Sequence, residues 1–258
     1  MLSELLSVLG VYKLYGRWLK AQIKGDIPEH VGIIVDGNRR WARKRNKKPW
    51  EGHWAGAEKV KTFIEWCQDL GIKTLTFYGF STENFNREQR EVEELMKIYE
   101  ENLQELLNAD IIHNHKVNIS VLGRVNLLPQ YLQDLIIDVE EATKDYDRYY
   151  LNVALAYGGR AEIVDATREI AERVQNGELK PDDITEDVIE SHLYTSHLPK
   201  PDLDLIIRTS EMRLSNFLVW QGAYSEFFIV DVYWPEFREI DLWRAIRSFQ
   251  KRHRRFGK

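Results

Sequence analysis

The chain has 258 residues, 43% of them hydrophobic and 12% aromatic, which supplies a sizeable core and excludes wholesale disorder. Its net charge of −5 argues against a general nucleic-acid binder, whose domain is normally basic. The single Cys67 excludes an internal disulfide and any cysteine-rich zinc site, and fits a reducing compartment.

Residues 1–27 come first. They lack the basic leader and small-residue cleavage site of a signal peptide. No apolar run anywhere approaches the roughly 20 residues that span a bilayer. The segment reads as an amphipathic helix, with Leu2, Leu5, Leu9, Tyr12 and Trp18 near one face and Lys13, Arg17, Lys20 and Lys24 elsewhere. Such a helix either packs on its own domain or lies in a membrane interface.

Apolar β-rich runs then alternate with helical patterns. Strands are expected over residues 32–35, 74–80, 117–122, 151–157, 203–207 and 227–230. Helices are expected over 54–70, 89–109, 129–143, 160–175, 185–194 and 240–254. This order implies a single α/β domain over 28–258, with a largely parallel sheet flanked by helices. No linker or repeat interrupts it. The helix over 89–109 has an apolar face that includes Leu95, Ile98 and Leu107, and an opposite face crowded with glutamates, Glu91 among them. His113 and His115 read as loop residues. Asp182 and Asp183 read as the approach to a helix capped by Thr185.

The unusual polar clusters all fall at strand ends. Asp36-Gly37-Asn38-Arg39-Arg40 follows the first strand, Ser81-Thr82-Glu83-Asn84-Phe85-Asn86-Arg87 the second, and Gly158-Gly159-Arg160 the fourth. The stretch from Arg208 to Asn216 follows the fifth. Open α/β sheets bind ligands beyond the carboxyl ends of their strands. The first cluster is the densest, because seven of the ten residues from Arg39 to Lys48 are Lys or Arg. Alone it has two readings. One is a metal-bound polyphosphate site, with Asp36 on Mg²⁺ and backbone N–H groups at Gly37 on the anion. The other is a solvated basic helix. Four such clusters at one edge supply arginine forks for phosphates and carboxylates for a metal, so the ligand expected has two or more phosphates and an apolar remainder. A P-loop, a dinucleotide fingerprint, zinc spacing and HExxH are all absent.

Taken together, DGNRRWA, TFYGFSTENFNR, AYGGR, IIRTSEMRLSNFLVWQ and AYSEFFIVDVYWPEF, with the terminal RRFG, resemble the cis-prenyltransferases, the undecaprenyl and dehydrodolichyl diphosphate synthases. The similarity runs from about Pro28 to Gly257. It implies a six-stranded parallel sheet, an apolar substrate tunnel, Mg²⁺ as cofactor and a dimer, most simply a homodimer. The implied reaction adds several isopentenyl diphosphate units to an allylic diphosphate, each new double bond being cis. The product is a long-chain polyprenyl diphosphate, precursor of a glycosyl carrier lipid. A cytoplasmic protein is implied, with peripheral membrane contact through the N-terminal helix as the alternative.

Carried over by motif, Asp36 matches the catalytic, metal-linked aspartate. Gly37, Asn38, Arg39 and Arg40, with Trp41 beside them and His53, match the allylic diphosphate site. Ser81, Thr82, Glu83, Asn84, Phe85 and Arg87 match the second substrate loop. Arg208, Arg213, Leu214 and Ser215 match the isopentenyl diphosphate site, and Glu226 matches the second metal ligand. Arg255 and Gly257 match a C-terminal Arg-x-Gly that reaches across the dimer. Asn84 stands at the family's proposed proton acceptor. A neutral amide is a weak base, so Asn84 is read as orienting, with Asp36 or a diphosphate oxygen taking the proton.

Departures from the bacterial pattern resemble the archaeal branch, which uses longer primers such as geranylgeranyl diphosphate. Farnesyl diphosphate remains open as primer. Arg39 replaces a common Gly and Phe85 a common Trp. Pro49 replaces a substrate-binding Arg, whose charge Lys47 or Lys48 would supply. The loop after Thr209 is one residue short, which leaves Glu211 without an assigned metal role. The alternative function is a non-catalytic partner subunit of a heteromeric cis-prenyltransferase, although such subunits typically lose the catalytic Asp and substrate arginines that this chain keeps.

Overall fold

A central strand of a parallel sheet is covered on both faces, so every position must tolerate burial. Three strands meet that demand at all five positions: β1 (His30–Ile34), β2 (Thr74–Tyr78) and β5 (Leu205–Thr209). They form the middle of a six-stranded sheet ordered β3-β4-β2-β1-β5-β6, with β3 at Val117–Leu122, β4 at Tyr149–Ala154 and β6 at Glu226–Val230. All five pairings are parallel. The computed structural model describes residues 11–251, with side chains from Leu14 onward.

Alternation along the strands sorts residues onto two faces. Val31, Ile33, Leu75, Phe77, Leu205 and Ile207 join one large core with Phe63 and Cys67 of α3 (Pro49–Asp69) and Leu95, Ile98 and Leu103 of α4 (Gln89–Asn108). Leu132 and Ile136 of α6 (Gln130–Thr143) and Leu242 and Ile246 of α9 (Glu239–Lys251) complete it. The opposite face carries Ile34, Tyr78 and Ile206 against Tyr157, Phe217 and Leu218.

The remaining helices are α1 (Val11–Ala21), α2 (Asn38–Arg43), α5 (Asp110–His115), α7 (Gly159–Gln175) and α8 (Glu186–Glu190). In α1 Leu19 is buried on Ile240 and Trp243 and Gly16 lies against the Trp243 ring, while Leu14 and Trp18 are exposed. Trp18 therefore does not share the packed face. Leu2, Leu5 and Leu9, the side chains of Tyr12 and Lys13, and the Arg255–Gly257 motif lie outside the described residues. Among the described residues no helix is long and apolar enough to cross a membrane.

Several sequence expectations need correction: β4 starts and ends earlier than the expected 151–157, and the helix expected over 185–194 is the short Glu186–Glu190. β5 begins and ends two residues later than expected, so Arg208 and Thr209 are strand residues, both buried. Asp36 meets both across the strand end, accepting from the Arg208 guanidinium and exchanging two hydrogen bonds with Thr209 Oγ1, which lets the ladder continue through them. His113 and His115 lie on α5 rather than in a loop; both ring nitrogens of His113 have partners, Tyr146 Oη at 2.9 Å and the Leu107 carbonyl at 2.8 Å. Glu91 is buried instead of solvated. The Thr185 cap stands as expected, its Oγ1 accepting from Val188 N.

Candidate active site

β1 is flanked by β2 on one side and by β5 on the other, which makes the carboxyl end of β1 the point where the chain's winding reverses. That is where open α/β sheets form a crevice. Asp36 stands just beyond β1, and Arg208 lies on the neighbouring β5. Thr209 clamps Asp36 from below: its Oγ1 accepts from Asp36 N at 2.9 Å and donates to Asp36 O at 2.7 Å. The chain then turns at Gly37, whose φ of +100° is a left-handed value. A Cβ there would come within 2.6 Å of Ser210 Oγ and 2.7 Å of the Tyr233 ring, so only glycine fits.

The Asp36 carboxylate is surrounded by donors. Oδ1 accepts from Gly37 N at 2.6 Å and faces Arg40 Nη2 at 3.2 Å; Oδ2 accepts from Arg208 Nη2 at 2.8 Å. A second carboxylate, Glu211, shares these arginines, 3.0 Å from Arg40 and 3.5 Å from Arg208, and meets Arg213 at 2.6 Å. Two acids and three arginines thus form one cage. Arg208 also donates to Ser215 Oγ at 2.6 Å and to the Arg213 carbonyl, yet its buried Nε has no partner.

The loop after β5 holds an unusual shape. Ser210, Ser215, Asn216 and Leu218 all have positive φ. Asn216 anchors it by capping α7: its carbonyl accepts from Gly159 N at 2.8 Å and its Oδ1 from Arg160 N at 2.9 Å. This contact gives the Gly158-Gly159-Arg160 cluster its place beside Ser215.

On the other side, Glu91 gathers three partners. His53 Nε2 donates to its Oε1 at 3.0 Å, Arg87 Nη1 donates at 3.1 Å, and Arg39 Nε lies 3.5 Å away. Burial lowers the pKa of His53, because it penalises the charged imidazolium more than Glu91 favours it. Burial works to raise Glu91, but the His53 hydrogen bond and the Arg87 and Arg39 charges outweigh it and hold the carboxyl below its usual range. The Ser81–Asn84 turn is closed by Asn84 Oδ1 accepting from Ser81 N at 3.3 Å.

Of these groups, Asp36, Arg39, Arg40, His53, Ser81, Asn84, Arg87, Arg208, Glu211, Arg213 and Ser215 line the polar end of one cavity of about 1070 Å³, with Glu91 and Thr209 bracing them from behind. Drug-sized ligand sites occupy about 300–1,000 Å³, so this volume suits a large ligand. From the cage the cavity continues between α3, α4 and the sheet, where Val60, Ile64, Phe77, Leu95, Ile98 and Leu103 line it. The arrangement can hold anionic groups at one end and a hydrocarbon at the other.

Residues 34–257 match the prenyltransferase family described as "Putative undecaprenyl diphosphate synthase". The chain belongs to this family of cis-prenyltransferases. It is 53% identical to a tritrans,polycis-undecaprenyl-diphosphate synthase (geranylgeranyl-diphosphate specific) of Methanopyrus kandleri, over 98% of this chain and 93% of the relative. It is 52% identical to the same enzyme of Pyrococcus furiosus, over 96% and 94%. Its fold superposes on lavandulyl diphosphate synthase from Lavandula x intermedia, solved with dimethylallyl diphosphate, with a TM-score of 0.85 and 41% identity over 90% of this chain and 99% of that one.

In this cis-prenyltransferase the cavity brings together Asp36, Gly37, Asn38, Arg39, Arg40, His53, Ser81, Glu83, Asn84, Arg87, Arg208, Arg213 and Ser215. Five other candidates do not line it. Trp41 carries the Arg45 guanidinium on its ring at 4.6 Å. Thr82 N donates to the Tyr157 carbonyl at 3.1 Å, and Phe85 packs edge-on against Phe80. Leu214 packs with the Phe217 core. Glu226 sits at the amino end of β6, level with Leu205, whereas Asp36 lies beyond the carboxyl end of β1, so a single chain does not join them. Nor do Lys47 or Lys48 line the cavity: Lys47 faces Glu51 at 3.5 Å and Lys48 caps α3. Arg43, one turn beyond Arg39 and Arg40, does line it. Leu95 and Ile98 of the α4 apolar face line the cavity, while Leu107 of that face and Val121 of β3 pack in the core. Sequence reasoning missed Glu91 as a site residue; it placed Thr209, Glu211 and Asn216 in the cluster after the fifth strand and Arg43 in the basic block, without giving them roles. A glutamate among arginines at a strand end was a usable signal for Glu211 alone.

Among the described residues no group of three acidic, histidine or cysteine side chains gathers for a metal. Mg²⁺ does not need one, since it keeps several waters and takes one or two carboxylates with substrate phosphates. The donor set fits that habit: Asp36 and Glu211 share one cage, and the buried Asn38 Oδ1 in the same cavity has no donor.

Proposed function

We propose that this protein condenses isopentenyl diphosphate units onto an allylic diphosphate, with geranylgeranyl diphosphate as primer, to make a long-chain polyprenyl diphosphate that serves as a glycosyl carrier-lipid precursor. The observation that carries the reading is the Asp36–Glu211 arginine cage at the head of an apolar arm. The primer is inferred from the names of the archaeal relatives, and the apolar arm takes its hydrocarbon, acting as a tunnel for the growing chain.

Gly37, Asn38, Arg39, Arg40 and His53 hold the allylic diphosphate, with Arg43 as the added cation in place of Lys47 or Lys48. Arg208, Arg213 and Ser215 hold isopentenyl diphosphate. Glu211 neutralises those arginines before substrate arrives and yields them to phosphate oxygens. Mg²⁺, bound by Asp36 and Glu211 together with diphosphate oxygens, would draw off charge from the leaving group. The allylic C1–O bond breaks and diphosphate departs; the arginines stabilise the charge it carries away. The isopentenyl double bond attacks C1, and a C2 proton passes to a diphosphate oxygen or to Asp36. Asn84, fixed by Ser81 N, orients the second substrate. Much of the rate then comes from holding two substrates end to end in a water-poor site.

The protein is read as a homodimer working in the cytoplasm. The exposed Leu14 and Trp18 of α1 support a peripheral lipid contact there. The test is incubation with labelled isopentenyl diphosphate, Mg²⁺ and a panel of allylic primers. Wild type should yield extended polymer, fastest with geranylgeranyl diphosphate, and EDTA should stop it. Asp36→Ala should lose about 10²-fold or more in turnover, as removal of a charge-stabilising group does. Arg213→Ala should act on the isopentenyl diphosphate KM. No polymer with any primer would turn the reading to the non-catalytic partner subunit.

A further inference from the structure

The apolar arm has an unexpected feature at its far end. α3 and α4 run side by side away from the diphosphate end, where His53 meets Glu91. About two helical turns farther along α3, Lys61 reaches across to α4 and meets Glu105 at 2.6 Å, with Glu58 of its own helix at 3.2 Å. Both Lys61 and Glu105 line the cavity, and both are partly in water: their side chains are 38% and 58% exposed. A side chain that faces the cavity and the solvent has no protein layer outside it. Among the described residues the wall of the arm is therefore one side chain thick here. Just beyond, the lining includes Glu65 and the exposed Ile111. A sealed floor for hydrocarbon would be apolar and buried; this end is charged and open to water.

We propose that Lys61 and Glu105 form the latch of a lateral outlet between α3 and α4, through which a polyprenyl tail longer than the arm emerges. The inference rests on the cis-prenyltransferase reading. With the latch closed, the lysine stem presents methylenes to the tail and its ammonium stays in water against Glu105 and Glu58. An exposed ion pair holds weakly, so an elongating tail can part it. The far-end exposure of Ile111 gives the emerging tail an apolar rim. With the latch opened for good, elongation continues past the length at which the arm is full.

The experiment compares product chain lengths at equal primer consumption, with phosphatidylcholine vesicles present as an apolar sink. Glu105→Lys sets two ammonium groups against each other and should shift the distribution toward longer chains. The exchange Lys61→Glu with Glu105→Lys restores the pair, although the new carboxylate on α3 would then face Glu58, and should bring the distribution back most of the way. Should Glu105→Lys fold poorly by circular dichroism, Glu105→Gln carries the same expectation with a smaller shift. Variants that consume primer but keep the wild-type distribution overturn the latch and leave the enzymatic reading intact. A wild type that adds no isopentenyl unit overturns the enzymatic reading itself.

Discussion

Among the described residues six arginines line the cavity, and at the scale of single residues their partners separate them. Arg40, Arg208 and Arg213 face Glu211, and Arg39 and Arg87 face Glu91. Among the described residues Arg43 alone of the six has no carboxylate partner, so it offers an anion an uncompensated charge. The five paired arginines have their charge partly offset by an acid, whereas that of Arg43 is not. Arg43→Gln should therefore raise the KM for the primer about fivefold, the worth of roughly 1 kcal/mol for a partly solvated charge-assisted contact. Its kcat should change little. Lys47→Gln, outside the cavity, should leave both constants unchanged. Steady-state kinetics on the two variants decides which cation stands in for the arginine that Pro49 displaces, and the opposite pattern would return that role to the lysine.

At the scale of elements, the cradle depends on how closely α3 lies on α2. Gly52 and Gly56 are one turn apart on α3, and both face Asn38. A Cβ on Gly52 would fall 2.1 Å from the Asn38 backbone oxygen; one on Gly56 would fall 2.7 Å from Asn38 Oδ1. The two glycines thus set the position of the diphosphate-binding turn. Gly52→Ala should push the helices apart, cost about 1–3 kcal/mol in stability as overpacking does, and lower kcat/KM for the primer more than tenfold. Thermal melts alongside kinetics check it, and normal kcat/KM in a folded variant would show that another contact seats Asn38. This spacing was legible in GHWAG, but only His53 drew notice there, because motif matching weighs reactive side chains above missing ones. The alternation of strands and helices was legible throughout, and β3 has the expected bounds. The β5 boundary was not, because burial of Arg208 depends on Asp36, far away in sequence. Glu91 was misread for a similar reason: helical periodicity sees its own face, and His53 and Arg87 approach from outside it.

At the scale of the whole molecule, the face of the sheet away from the cavity carries a buried polar belt with a consequence for stability. His30 of β1 is fully buried. Its Nδ1 donates to the Pro201 carbonyl at 3.0 Å, which leaves Nε2 to accept from Thr76 Oγ1 of β2 at 2.8 Å. Asn152 of β4 donates to the same Thr76 oxygen at 3.1 Å. The neutral imidazole thus ties β1 to β2 and to the segment before β5, and Asn152 extends the belt to β4. Burial drives its pKa down from 6.5 to about 4, against smaller upward contributions from the Pro201 carbonyl and Asp204. The folded value lies below the unfolded one, so between these two pH values the unfolded chain binds the extra proton. Stability from this group is therefore complete above pH 6.5 and falls as the pH drops toward 4. The loss is on the order of 3 kcal/mol, at about 1.4 kcal/mol for each pH unit. His53, also lowered by burial, adds loss in the same direction. Urea midpoints should fall steadily from pH 7 to pH 4.5 in wild type. His30→Gln, which keeps hydrogen-bonding groups but cannot titrate, should start less stable at pH 7 and show a visibly flatter decline. An equally steep decline in His30→Gln would mean that another group, such as the buried His53, and not His30, sets the acid limit of the fold.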